Sequence, residues 1–116
     1  MKTIDEVRRE TELAALIADE QGYITHINPS FTAIFGWKPE EIIGKSLTII
    51  IPKSLHDSHH LGFSRFLTTG VPTLLNQPLQ LKAVKKNGEV FEAEHLILAE
   101  KQKGRWVFAA TIRVVH

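Results

Sequence analysis

The dipeptide Asn87-Gly88, set between two alternating segments, constrains this chain more than any other stretch. Asn-Gly accepts the positive φ angles of a tight turn whose twist matches that of paired strands. Before it, Leu79, Leu81 and Ala83 alternate with Gln80, Lys82 and Val84. After it, a return strand over Val90–Glu100 is expected, then a second turn at Lys101-Gln102-Lys103-Gly104. Arg105 to Val115, rich in Trp, Phe, Val and Ile, reads as a further strand. The C-terminal part is therefore an antiparallel meander.

The N-terminal part carries a second hairpin. Leu13–Ala18 is a short apolar run, Asp19-Glu20-Gln21-Gly22 is a turn, and Tyr23–Ile27 is β-prone. His26, out of phase with Tyr23 and Ile27, is expected at the surface. Helix signals separate the two hairpins. Asn28 is an N-cap, Pro29 suits a first turn, and Phe31, Ile34 and Phe35 form a stripe that Gly36 ends. Lys38-Pro39-Glu40-Glu41 opens another helix with acidic residues in its first turn, and Gly44 stops it. After Pro52, the segment from His56 to Leu67 reads as an amphipathic helix closed by Thr68-Thr69-Gly70. Ile4, Val7 and Leu13 lie on a rough helical spacing, which predicts a mostly polar cap helix within residues 1–12 ahead of a domain over 13–116. The implied class is α+β, with one antiparallel sheet, short helices on one face and a pocket between.

The 116 residues fit one domain. Fourteen basic and thirteen acidic residues are interspersed, for a net charge of +1, which gives no reason to expect nucleic acid or an anionic membrane as partner. With no cysteine, disulfides, thiolate catalysis and zinc-thiolate sites are excluded. No apolar run reaches the roughly 18 residues of a membrane span, and the charged N-terminus lacks a signal-peptide core. A cytoplasmic domain is expected, alone or as the cytosolic part of a larger receptor. There is no phosphate-binding glycine loop and no nucleophile elbow, so an enzyme is not expected.

Several stretches, taken in order, carry a family resemblance. They are Ile27-Asn28-Pro29-Ser30-Phe31, Phe35-Gly36-Trp37-Lys38-Pro39-Glu40-Glu41-Ile42-Ile43-Gly44-Lys45, Ile51-Pro52, Lys86-Asn87-Gly88-Glu89-Val90-Phe91 and Thr111-Ile112-Arg113. Together they resemble a PAS domain, from about Leu13 to Val115. The resemblance implies a five-stranded antiparallel sheet of order 2-1-5-4-3 in a sensory or interaction module. It also implies haem, flavin, a small metabolite or no ligand in the pocket. In many members a signalling helix follows the last strand, and the Asp-Ile-Thr that opens it is absent here.

Within that family, Ile51–Gly70 is similar to the stretch that holds the proximal histidine of haem PAS domains of the FixL type. Pro52, His59, Arg65, Phe66 and Gly70 fall in step without gaps. On that match His59 is the haem iron ligand, Phe63 packs on the porphyrin, Arg65 meets a propionate, and His56 caps the helix or lines the propionates. His60, about 100° round an ideal helix from His59, faces solvent. Phe91, Ala93, His95 and Ile97 share a strand face. The resemblance places this face on the distal side, where His95 would donate to bound O₂ or act as a sixth ligand. Trp106, alternating with Phe108, Ala110 and Ile112, is similar in place to a strand tryptophan of haem-containing aerotaxis receptors. Leu79 stands where the FixL type has an oxygen-contacting arginine, so either His95 or Trp106 would stabilise O₂, or the preference shifts toward CO or NO.

Other readings remain at this stage. His95 is also suited to a core position with a backbone or water partner, and Trp106 to packing on the sheet. His56, His59 and His60, with Asp57, have the spacing of a direct metal site. A noncovalent flavin such as FAD would sit beneath Trp37, whereas cysteine-adduct photochemistry is excluded. A cofactor-free interaction module is the alternative from another class. Leu96 and Leu98 on the outer sheet face, beside Val107 and Ala109, would be covered by the N-terminal helix or by another subunit, which points to a homodimer.

Overall fold

The computed structural model describes residues 3–56 and 78–115. Five strands form one antiparallel sheet: β1 (Ala14–Ala18), β2 (Ile24–Ile27), β3 (Pro78–Val84), β4 (Val90–Gln102) and β5 (Arg105–Val114). Their spatial order is β2-β1-β5-β4-β3. All five residues of β1 are buried, as befits a strand covered on both faces. The helices are α1 (Ile4–Arg8), α2 (Pro29–Phe35) and α3 (Pro39–Ile42), followed by 3-10 turns at Leu47–Ile50 and Lys53–Leu55.

The two hairpins follow from their turns. At the first, Gly88 takes φ +91° and its N–H donates to the Lys85 carbonyl. At the second, the strands run beyond the expected boundary, through Gln102, and only Lys103 and Gly104 turn. Both have positive φ, 53° and 81°, the requirement of a two-residue hairpin loop.

The sheet buries both faces. On the inner face, Phe31, Phe35, Ile42 and Ile50 pack against Leu16, Ile24, Ala93, Ala110 and Ile112. Phe31 and Phe35 stack with centroids 4.3 Å apart. On the outer face, Ile4 and Val7 of α1 close over Ala15, Ile17, Leu98 and Ala109. The expectation of helices on one face thus holds for α2 and α3, while α1 covers the opposite face. Within this chain the N-terminal helix lies over Leu98 and Ala109.

Alternation breaks in β2. Leu16 pairs with Ile27 and Ile17 with His26, but Ala18 pairs with Ile24, a bulge that leaves Thr25 extra. The register slip makes Ile24 and Ile27 the core pair and leaves Tyr23 exposed. It also corrects the expectation for His26, which is half-buried on the outer face rather than a surface residue.

Asn28 ties these parts together. It is the N-cap of α2, its Oδ1 accepting the Phe31 N–H at 2.9 Å. The same oxygen accepts the Ala15 N–H of β1 at 3.0 Å. Its Nδ2 donates to the carbonyls of Glu10 and Leu13 at 3.0 and 2.8 Å. One buried amide therefore fixes the path from α1 into β1 and the start of α2. Asn28→Ala would leave two N–H groups and two carbonyls without this partner, so about 3 kcal/mol or more of folding stability should be lost. Urea unfolding checks this, with Ser30→Ala, which loses one exposed bond to the Thr11 carbonyl, expected to cost far less.

Candidate functional site

The candidate site is the inner face where β3, β4 and β5 run side by side. The hairpin register sets His95 directly between Leu79 of β3 and Ile112 of β5. One step further along that face, Ile97 of β4 pairs with Ala110 of β5, and on the other side Ala93 pairs with Leu81 and Val114. Ala93, Ala110 and Ile112 are buried, and Leu79 and Ile97 are half-buried. The result is an apolar floor of small and aliphatic side chains with one imidazole in it.

His95 is only 8% exposed. Its Nδ1 lies 3.1 Å from the carbonyl of Ala93 on its own strand. A carbonyl only accepts, so Nδ1 carries the hydrogen. Burial pushes the His95 pKa below its ordinary value, against the opposing pull of that hydrogen bond, and the ring is neutral near pH 7. In a neutral ring with Nδ1 protonated, Nε2 holds a lone pair. It can coordinate a metal or accept a hydrogen bond, but it cannot donate. Of the two distal roles the resemblance implied, coordination suits this tautomer and donation to a bound gas does not. A ligating histidine commonly donates its other N–H to a backbone carbonyl, the arrangement found here.

Trp106 occupies another region. It pairs with Lys101 near the β4–β5 turn, and its backbone N–H donates to Glu20 of the β1–β2 turn at 2.9 Å. The Lys101 Nζ sits 5.6 Å from the ring centroid. Trp106 is six residues along β5 from Ile112, the partner of His95, which is about 20 Å at strand rise. The structure does not bring Trp106 and His95 to one point, so a single small ligand meets one of them at most.

His56 is an anchor for its own loop. Its Nε2 lies 2.7 Å from the Ile51 carbonyl and 3.1 Å from that of Thr48, so this nitrogen donates to both. The ring clamps the two 3-10 turns on either side of Pro52. His56 itself has α-helical dihedrals, φ −61° and ψ −43°. His59, Phe63 and Arg65, with His60, Asp57, Phe66 and Gly70, lie outside the described residues. So does the rest of the expected histidine helix.

Trp37 belongs to the same inner side. Its ring packs against the inner core, and its indole Nε1 is enclosed with no hydrogen-bond partner among the described residues. Lys86 lies 5.4 Å over the ring and also pairs with Glu41, whose carboxyl it holds below the usual range, helped by the Lys38 backbone N–H. An aromatic between Gly36 and Pro39 is visible in sequence, but its unmatched N–H is not.

Among the described residues, no group of three or more His, Asp or Glu is placed to hold a metal ion. Among the same residues, no helix is long and apolar enough to cross a membrane.

A family model described as PAS domain matches residues 12–113. An uncharacterised protein of Azorhizobium caulinodans is 37% identical over 101 residues, covering 86% of this chain and 14% of that protein. The sensor protein FixL of Bradyrhizobium diazoefficiens is 28% identical over 78% of this chain and 18% of its own length. The oxygen sensor protein DosP of Escherichia coli is 22% identical over 87% of this chain and 13% of its own length. The chain thus spans less than a fifth of each of these relatives. Among solved structures, the PAS domain of a Colwellia psychrerythraea protein superposes with TM-score 0.73 at 13% identity, over 88% of this chain and 85% of that one. The LOV protein of Rhodobacter sphaeroides gives 0.72 at 13% identity, over 96% and 65%. At such identities the likeness is one of fold.

The locked tautomer of His95 is directly measurable. ¹⁵N NMR of the ring should show Nδ1 protonated and Nε2 pyridine-like at neutral pH. A protonated Nε2 would restore the donor role.

Proposed function

Because the chain belongs to the PAS domain family, we propose that it is a sensor module that binds haem b and detects a diatomic gas. The signal would pass to an effector domain or partner, and the module itself would be a binding device rather than an enzyme. The observation that carries this reading is His95. It is a neutral, buried imidazole with a free lone pair in an otherwise apolar floor of Ala93, Ala110, Ile97 and Ile112. Small and aliphatic side chains suit a flat apolar macrocycle. The Ala93 carbonyl satisfies Nδ1, as a core histidine also requires, so the part of the ring this reading uses is Nε2. Two relatives support the class of function, one named a sensor protein and the other an oxygen sensor.

His59 is the residue that would hold the iron, on its match to the haem PAS stretch. Phe63 would pack on the ring and Arg65 would pair with a propionate. His56, bonded to the Thr48 and Ile51 carbonyls, fixes where that stretch begins. When bound, the haem iron supplies the coordination position at which O₂, CO or NO attaches. His95 would compete for that position through Nε2. Leu79, its direct neighbour across β3–β4, has no donor with which to hold polar O₂, so CO and NO are favoured. The module would act as a homodimer joined through the outer sheet face and α1.

One observation favours a second reading. The enclosed indole N–H of Trp37, without a partner among the described residues, is the donor that a noncovalent flavin such as FAD would satisfy. Expression with ample haem separates the readings. The haem reading predicts a Soret band that is lost or strongly weakened in His59→Ala. It further predicts that His95→Ala retains haem but binds CO faster, since the competing imidazole is gone. A flavin absorption band would support the second reading, and a colourless protein would leave the cofactor-free interaction module.

A further inference from the structure

His26 lies on the sheet face opposite His95. It pairs directly with Ile17 across β1–β2. Ile17 is sealed in the outer cluster with Ile4 and Val7 of α1. The His26 ring is half-buried at this junction, and its Nε2 is enclosed with no hydrogen-bond partner among the described residues. A neutral ring tolerates that environment. A protonated ring would hold an enclosed N–H⁺ with no acceptor among the described residues, which is unfavourable.

The charged groups around α1 add to this. Arg8, in its last turn, acts on His26 as a like charge. β1 is AALIA and contributes no ionisable side chain. Asp5 and Glu6 are exposed. Glu10, just after the helix, accepts the N–H groups of Glu12 and Leu13. Glu100 of β4 accepts the Ile4 N–H at 2.9 Å. These last two carboxylates are committed to backbone groups.

We propose that His26 is an acid-operated latch whose protonation releases α1 from the outer face and uncovers Ala15, Ile17, Leu98 and Ala109. The cover is suited to release. α1 has five residues and is held by two apolar side chains and its bond to Glu100. A helix this short has no independent stability. Burial first, and Arg8 second, depress the His26 pKa below 6.5 while α1 is docked. Once α1 leaves, the ring returns toward its ordinary value. The undocked state therefore binds the proton more readily. Docking is complete above about pH 6.5 and weakens as pH falls from there toward the depressed value.

The test is a pH titration of the whole chain by NMR. It follows the His26 ring together with the methyl groups of Ile4, Ile17 and Leu98, from about pH 8 to about pH 5. The latch predicts that these methyls move with the His26 midpoint, toward the shifts of an uncovered face. In His26→Phe that movement should vanish. In Arg8→Gln the His26 midpoint should rise and the methyl change should shrink, a variant that leaves the sheet untouched if His26→Phe folds poorly. Methyls that stay still while His26 titrates, or that move equally in His26→Phe, would overturn the proposal.

Discussion

The buried amide of Asn28 is the interaction on which the rest of this structure depends. An amide side chain has two donors and two good acceptor directions, and here all are used. One oxygen joins the Phe31 N–H of α2 to the Ala15 N–H of β1, and one nitrogen gathers the Glu10 and Leu13 carbonyls of the segment arriving from α1. β1 has partners on both sides and layers on both faces. Fixing its entry therefore fixes the position of α2 on the inner face and of α1 on the outer. Aspartate would keep the oxygen but set a carboxylate against two carbonyls, so asparagine is the residue whose chemistry fits.

From that frame the sheet presents a buried histidine, His95, on one face and a half-buried one, His26, on the other. Both have pKa values lowered first by burial. His95 has a backbone acceptor that fixes which nitrogen bears the hydrogen, leaving a defined lone pair toward the inner side. His26 has an enclosed nitrogen without a partner among the described residues, and Arg8 of the short α1 acts on it as a like charge. Desolvation thus leaves a neutral ring with a defined lone pair on one face and, on the latch proposal, a proton-sensitive contact on the other. The two faces share β1 and β5, so a change on one has a short, well-packed route to the other.

How much was legible in the sequence depended on whether the cause was local. The Asn87-Gly88 turn, the Asn28-Pro29 helix start and the Gly36 stop are set by residues within a few positions of one another, and each appears where expected. The resemblance of the ordered motifs to a PAS domain carried the strand order, which local signals do not contain. The bulge at Thr25 was not legible, because it arises from pairing with β1 and not from any composition in β2. Asn28 was readable as a cap, whereas its bonds to Glu10, Leu13 and Ala15 exist only after the chain returns. The inner face of β4 was readable by alternation, and His95 was identified there. Its tautomer was not, since that depends on the carbonyl of Ala93. The distance between His95 and Trp106 follows from the second turn lying at Lys103-Gly104. The sequence marked that turn but did not locate its centre. His59, on which the haem reading also rests, is known only by its place in the motif.

Haem binding through the His59 stretch and the His95 floor, as proposed, requires the ligand-free protein to take up haem and keep it. The most direct measurement is a titration of the ligand-free protein with haemin, followed by haem quantification after gel filtration. The account predicts saturation at one haem per chain, with the haem remaining bound through the column. Haem that fails to saturate at one per chain, or that separates from the protein on the column, would contradict it.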